Sequence, residues 1–183
     1  MLYLIAILVG LGIGRLRGGR IAHLAGLRLR WLWLVPLSLA IQLLIFPLFS
    51  GAPLVAYGTA PLHLASYGLV ILWMALNLRV VPLRGFLVGA ALNLVAVVAN
   101  GGYMPASAAA LRRAGLDQTA QRLLDGDVVA NVILMSPSTH LNALGDWLSL
   151  PSWVPFSTAF SIGDVLIMIG LVWLTARGMI AGD

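Results

Sequence analysis

The chain has 183 residues, of which 61% are hydrophobic and only 9% charged, and its mean hydropathy is +0.99. An ordinary soluble domain is about a quarter charged, so composition excludes a water-soluble monomer and a disordered chain, and the absence of cysteine excludes a disulfide scaffold. All 11 cations are Arg and all six anions are Asp, and a net charge of +5 in so apolar a chain points to a membrane and not to nucleic acid.

A hydrocarbon core about 30 Å thick takes roughly 20 apolar residues as a helix. Only helices or closed barrels satisfy their backbone there, and no stretch alternates like a barrel strand. The expected fold is therefore all-α: one membrane domain, residues 1–183, built as a polytopic bundle of five spans. The first is residues 1–16. A secretory signal would carry basic residues before its apolar run. Here Arg15, Arg17 and Arg20 follow the run, so the span reads as a retained helix with its N-terminus outside. Gly10 and Gly14 stand four apart, which lets a second helix approach closely. Arg15, Arg17 and Arg20 are candidate contacts for a lipid headgroup. Gly18-Gly19 then turns the chain, and Ile21, Leu24, Leu27 and Leu29, interleaved with Arg, predict a short interfacial helix on the inner side.

The second span is residues 31–49, opened by Trp31 and Trp33 at headgroup depth. The third is 61–78, the fourth 84–99 and the fifth 158–176. With five alternating spans, Arg15, Arg17, Arg20, Arg28, Arg30, Arg79, Arg84 and Arg177 share one side. Only Arg112, Arg113 and Arg122 lie on the other. The positive-inside rule then gives N-out and C-in, and the expected location is an inner, cytoplasmic membrane.

The outer region, 100–157, is the one sizeable water-side segment. Ser107 is placed to cap a short helix ending near Gly115, and Asp117 to cap a second. Asp125-Gly126-Asp127 is a turn. Val128–Met135 suits a short strand or a membrane-facing hook. Trp147, Pro151, Trp153 and Pro155 suggest an irregular interfacial segment.

Gln42, Asn77, Asn93 and Asp164 are the polar residues inside spans. The first three suit hydrogen bonds between helices. Asp164 is an acid clearly within a span, and such a group is expected either to function or to be held by neighbouring donors or a helix break. Asp146 lies 18 residues earlier and can meet it at the outer leaflet, where two carboxylates could work as general acid and base. Asn100-Gly101-Gly102-Tyr103-Met104-Pro105 leaves span four. Its glycines permit a tight exit and its amides could hold an anionic group or a carbonyl. The candidate ligand-binding set is Asn100, Gly101, Gly102, Tyr103, His63, Asn93, Asp146 and Asp164. His23, His63 and His140 share no metal-ligand spacing, so neither a metal nor any other cofactor is expected.

Arg17-Gly18-Gly19-Arg20, the Asn100–Pro105 exit, Leu144-Gly145-Asp146 and Phe160-Ser161-Ile162-Gly163-Asp164 together resemble a bacterial family of small integral membrane proteins of unknown function. That resemblance implies a five-helix protein of this length. The C-terminal third also resembles lipoprotein signal peptidase, an intramembrane aspartyl protease, sharing the Phe and Asp of the segment that opens the last helix. Asn142 stands four residues before Asp146 where that family has three, and Trp147 replaces its Arg. This second resemblance implies that Asp146 and Asp164 are a catalytic pair.

Three functions follow as expectations. The leading one is a non-catalytic membrane protein binding a lipid, a lipophilic ligand or a partner subunit at an outward polar site. The others are an intramembrane aspartyl hydrolase and a small transporter. Membrane lipids are the expected partners, with a homo-oligomer or a larger membrane complex as further possibilities and no nucleic acid.

Overall fold

The computed structural model describes residues 2–45 and 58–180. Five apolar helices form the bundle: α1 (Leu2–Leu16), α2 (Leu34–Ile45), α3 (Thr59–Leu76), α4 (Pro82–Ala99) and α7 (Ile162–Ile180). Between α4 and α7 the chain builds a small cap from β1 (Met104–Ala106), α5 (Ala108–Arg113), α6 (Asp117–Leu124), β2 (Val132–Leu134), β3 (Leu148–Ser149) and β4 (Ala159–Phe160). β1 pairs with β2 in parallel, and β3 with β4 antiparallel. The all-α expectation is thus corrected in the cap, where two small sheets tie distant loop segments together.

α3, α4 and α7 are long and apolar enough to cross a membrane, at 18, 18 and 19 residues. At 1.5 Å per residue, 18 residues reach about 27 Å, close to the hydrocarbon thickness. α1 and α2 are shorter, at 15 and 12 residues. Leu8, Val88 and Ile169 are 57%, 52% and 58% exposed on the bundle's outside. A surface of this kind suits lipid and not water.

Two expected starts move furthest. Span two starts at Leu34 and not at residue 31, because Trp31 has φ of +53° and breaks the helical path. Residues 46–49 of that expected span lie outside the described residues. Span five starts at Ile162 and not at residue 158, because Ala159–Phe160 is held as β4 and Ser161 caps the helix. The short helix expected after α1 is a six-residue 3-10 helix, Ile21–Gly26. It is fastened to the end of α7, where Met179 O accepts both Arg20 N–H at 2.9 Å and the His23 ring N–H at 2.8 Å.

Close helix contacts explain the glycines. A Cβ on Gly10 would land on Thr175 Oγ1, and one on Gly14 would stand 2.7 Å from Met179 Sδ. These contacts and the Tyr3–Asp164 bond run in the same order along both chains, so α1 and α7 are parallel. Gly89 meets Gly163 and Ile167, and Gly170 meets Phe86, so α4 is antiparallel to α7. Ser38 Oγ donates to Ser66 O at 2.8 Å between α2 and α3. Asn77 joins the end of α3 to the chain before α2: Arg30 N–H donates to its Oδ1 at 2.7 Å and its Nδ2 donates to Arg30 O at 2.9 Å. Asn77→Ala leaves the part-buried Arg30 N–H and carbonyl without this partner, so it should lower the thermal midpoint by an amount worth about 1 kcal/mol. An unchanged melting curve would remove Asn77 from this role.

The cap is continuous with α4. Gly101 and Gly102 have φ of +67° and +102°, which glycine adopts without strain. Gly102 also lies against Ala60, where a Cβ would come within 2.6 Å of the alanine methyl. Ser107 caps α5 by accepting Ala110 N–H at 3.4 Å. Asp117 is in the first turn of α6 and is not its cap, since Leu116 holds that position with no side-chain bond. Ala106, Ala110, Leu111, Ala120 and Leu123 form the cap's own core.

Candidate functional site

Asp164 is the third residue of α7. Ser161 Oγ accepts the Asp164 N–H at 3.0 Å, while Asp164 Oδ2 accepts the Ser161 N–H at 2.9 Å. This reciprocal pair is a capping box. Oδ1 of the same carboxylate accepts the Tyr3 hydroxyl of α1 at 2.5 Å and Asn93 Nδ2 of α4 at 2.9 Å. The Ser161 hydroxyl lies 2.9 Å from Asp164 Oδ2 and 2.8 Å from Asn93 Oδ1. Asn93 and Ser161 are buried, at 1% and 0% exposed. One carboxylate therefore ties three helices together near the cap through neutral donors.

Asp146 comes to the same region by a different route. Its N–H donates to Pro105 O at 2.8 Å and its carbonyl accepts Ser107 N–H at 2.9 Å, beside β1. Gly145 must be small there, since a Cβ would stand 2.5 Å from Pro105 O. The preceding loop is rigid. Thr139 Oγ1 donates to Asn142 Oδ1 at 2.7 Å, and Asn142 Nδ2 donates to Ser136 O at 2.8 Å. Asp146 Oδ1 is buried without a hydrogen-bond partner. Burial, and then the negative charge of Asp164, push the Asp146 carboxyl up to about 8. The two acids thus lie within electrostatic reach in unlike surroundings: Asp164 is ringed by donors and Asp146 is left without one at Oδ1.

The titration of Asp146 has a defined sign. Between its ordinary 3.8 and about 8 the folded protein holds a proton that the unfolded chain has released. Stability should therefore fall as pH rises through that window. Asp146→Asn keeps the shape and removes the titration, so it should flatten the pH dependence of the thermal midpoint and raise the midpoint at pH 8. Parallel pH profiles for the two proteins would assign the dependence to another group.

A cavity of about 290 Å³ opens beside this cluster. Tyr3, Gln42, His63, Tyr67 and Asn131 give it a polar part, and Val70, Phe86, Ala90 and Ile167 an apolar part. His63 is 3% exposed and its ring meets that of Tyr67 edge-on, with centroids 5.2 Å apart. Asn131 Nδ2 lies 3.4 Å from His63 Nε2 and joins the cap to α3. Gln42 Nε2 donates to Ser66 Oγ at 3.3 Å, joining α2 to α3.

Of the residues expected from sequence, His63, Asn93, Asp146 and Asp164 gather at this end of the bundle. Asn100, Gly101, Gly102 and Tyr103 do not line the cavity. Asn100 clamps the cap instead, donating to Ala96 O and His140 O and accepting His140 N–H, each at 2.8 Å. The Gly101, Gly102 and Tyr103 amides donate to Val98, Val97 and Asn100 carbonyls, so they are committed inside the turn and offer no open cradle. Arg15, Arg17 and Arg20 are exposed at the opposite end of α1. Tyr3, Tyr67, Ser161 and Asn131 are site residues that sequence reasoning missed. Only Ser161 carries a local signal, as the Ser-x-x-Asp of a capping box.

Apolar helices with lipid-suited surfaces, packed around a polar cluster and closed at one end by a small cap, define a helical membrane protein. Residues 26–176 match the family of unknown function DUF5317, and the chain belongs to that family. No curated protein and no solved structure matches it.

Proposed function

We propose that the chain spans the bacterial cytoplasmic membrane five times, N-terminus out and C-terminus in, and binds a small amphiphilic molecule in the outward-facing cavity. The five helices alternate in direction. The eight arginines from Arg15 to Arg84 and at Arg177 then fall at one end and the cavity's polar residues at the other, in keeping with the positive-inside rule. The observation that carries the binding reading is the cavity itself. Its two-part lining, with polar groups converging from α1, α2, α3 and the cap above an apolar floor, is the usual make-up of a small-molecule site.

The test is to purify the protein gently from its native membrane and identify what stays bound by mass spectrometry. Val70→Phe places a ring in the apolar part of the cavity. The wild type should carry one amphiphilic molecule per chain, and the filled variant should lose it while melting at or above the wild-type temperature. Equal recovery from both proteins would exclude the cavity as the site.

A second reading is acid–base hydrolysis, favoured by the unlike environments of Asp146 and Asp164. A protonated acid beside a held carboxylate is the arrangement that divides acid and base roles between two acids. Under this reading Asp146→Asn abolishes turnover of an amide or ester substrate without weakening its binding. Under the binding reading it changes only the pH profile of stability.

A further inference from the structure

At the inner end of the bundle a second cleft, of about 150 Å³, lies between the α3–α4 turn, the last turns of α7 and the chain that follows the 3-10 helix. Arg79 stands on the turn and Arg177 on α7, and Leu27, Val81, Pro82 and Leu174 complete an apolar lining. Among the described residues, neither arginine has a carboxylate in ion-pairing range. The one ion pair among the described residues is Arg122–Asp127, in the cap. Every described aspartate lies in the cap or at the outer end of α7. Two arginines therefore line one concavity with no counter-charge from the described residues.

The cleft is held in shape by its own bonds. Asn77 fixes the turn to the Arg30 backbone at 2.7 and 2.9 Å, and Arg84 Nε donates to Leu78 O at 3.1 Å. On the other wall Gly178 admits the 3-10 segment, since a Cβ there would stand 2.7 Å from Leu24 Cδ2 and 3.2 Å from Leu27 Cδ1. Arg177 thus shares the cleft with an apolar lining.

We propose that this cleft binds the phosphodiester of an anionic membrane lipid, with Arg79 and Arg177 on the phosphate and the apolar lining against the glycerol and first methylenes. Guanidinium groups suit phosphate because their N–H donors match its oxygens in pairs. A basic pocket between membrane helices at the cytoplasmic side is also where such headgroups are held. The site rests on the topology proposed above for its placement at the cytoplasmic face, and it is independent of the outer cavity.

The test uses the full-length protein in nanodiscs of phosphatidylcholine with a minor fraction of phosphatidylglycerol carrying the same chains, and counts retained lipids by native mass spectrometry. The wild type should keep one phosphatidylglycerol per chain. A surface arginine is worth on the order of fivefold at an anionic headgroup. Arg79→Gln and Arg177→Gln should each lower retention by about that factor, and both together by about 30-fold. Arg28→Gln, outside the cleft, should stay within about twofold of wild type. Millimolar inorganic phosphate should not displace the lipid.

Equal retention of both lipids would overturn the proposal, and the same loss from Arg28→Gln as from Arg79→Gln would replace it with diffuse charge attraction. Displacement by inorganic phosphate would reassign the cleft to a soluble anion. Arg79 lies on a turn, so Arg79→Gln and Arg79→Lys decide the matter even if Arg177→Gln does not fold. Val70→Phe should leave lipid retention unchanged, which separates failure here from failure of the outer site.

Discussion

Asp164→Ala is expected to destabilise the protein by about 3–5 kcal/mol, the largest single loss in the site. The change removes the acceptor for Tyr3 Oη, Asn93 Nδ2 and Ser161 N–H together. A stranded buried donor costs about 1–3 kcal/mol, and the lost capping interaction adds about 1 kcal/mol. Asp164→Asn keeps the shape and one acceptor oxygen. Its amide NH2 must then face a donor on one side, either Tyr3 and Asn93 or Ser161. That variant should lose roughly half as much, read as a smaller drop in thermal midpoint in detergent. Tyr3→Phe should lower the midpoint less than either Asp164 variant, because Asn93 still reaches Oδ1. If Asp164→Ala and wild type melt together, the carboxylate does not hold these helices, and a purely catalytic role becomes the better account.

Gly89→Ala is expected to be the most damaging change outside that network, despite the better helix propensity of alanine. In mid-helix, alanine gains about 1 kcal/mol over glycine. At Gly89, however, the new methyl would press on the Gly163 carbonyl and stand 3.0 Å from both Ile167 N and Ile167 Cγ1. Two of those three atoms are backbone and cannot rotate away, so α4 and α7 must separate. Overpacking of this kind costs about 1–3 kcal/mol. In a membrane bundle the close contacts of such a seam are also a main source of association. Because Gly163 precedes Asp164, the separation also pulls the capping box from Asn93. Gly89→Ala should therefore lower the thermal midpoint and weaken ligand retention in the outer cavity together. A midpoint equal to or above wild type would show that propensity outweighs the seam. Gly12→Ala is the matched control, since nothing lies within 4 Å of its added Cβ.

The helices were legible because their signal is local. Each apolar run announces itself in composition. The cap was less legible. Ser107 could be read as a helix cap from its neighbours, whereas the pairing of Met104–Ala106 with Val132–Leu134 depends on a return of the chain that no short window contains. At the site, Asp164 stood out because an acid in a span is costly. Ser161 was readable from its spacing to Asp164. Tyr3 was not, because its partner lies 161 residues away and a tyrosine near a helix end reads equally well as an interfacial anchor. The Asn100–Tyr103 turn shows the opposite difficulty. Its glycines suggest open amides, but the helix end they terminate takes up those same donors.

The central claim, an outward-open polar cavity in a five-span bundle, is most directly tested by cysteine accessibility. The chain has no cysteine of its own, so each introduced thiol reports without background. Gln42→Cys sits in the cavity lining and Arg79→Cys in the cleft at the opposite end of the bundle. In intact cells, a small membrane-impermeant thiol reagent should modify Gln42→Cys and spare Arg79→Cys until the membrane is permeabilised. Modification of Arg79→Cys in intact cells, with Gln42→Cys protected until lysis, would contradict the account.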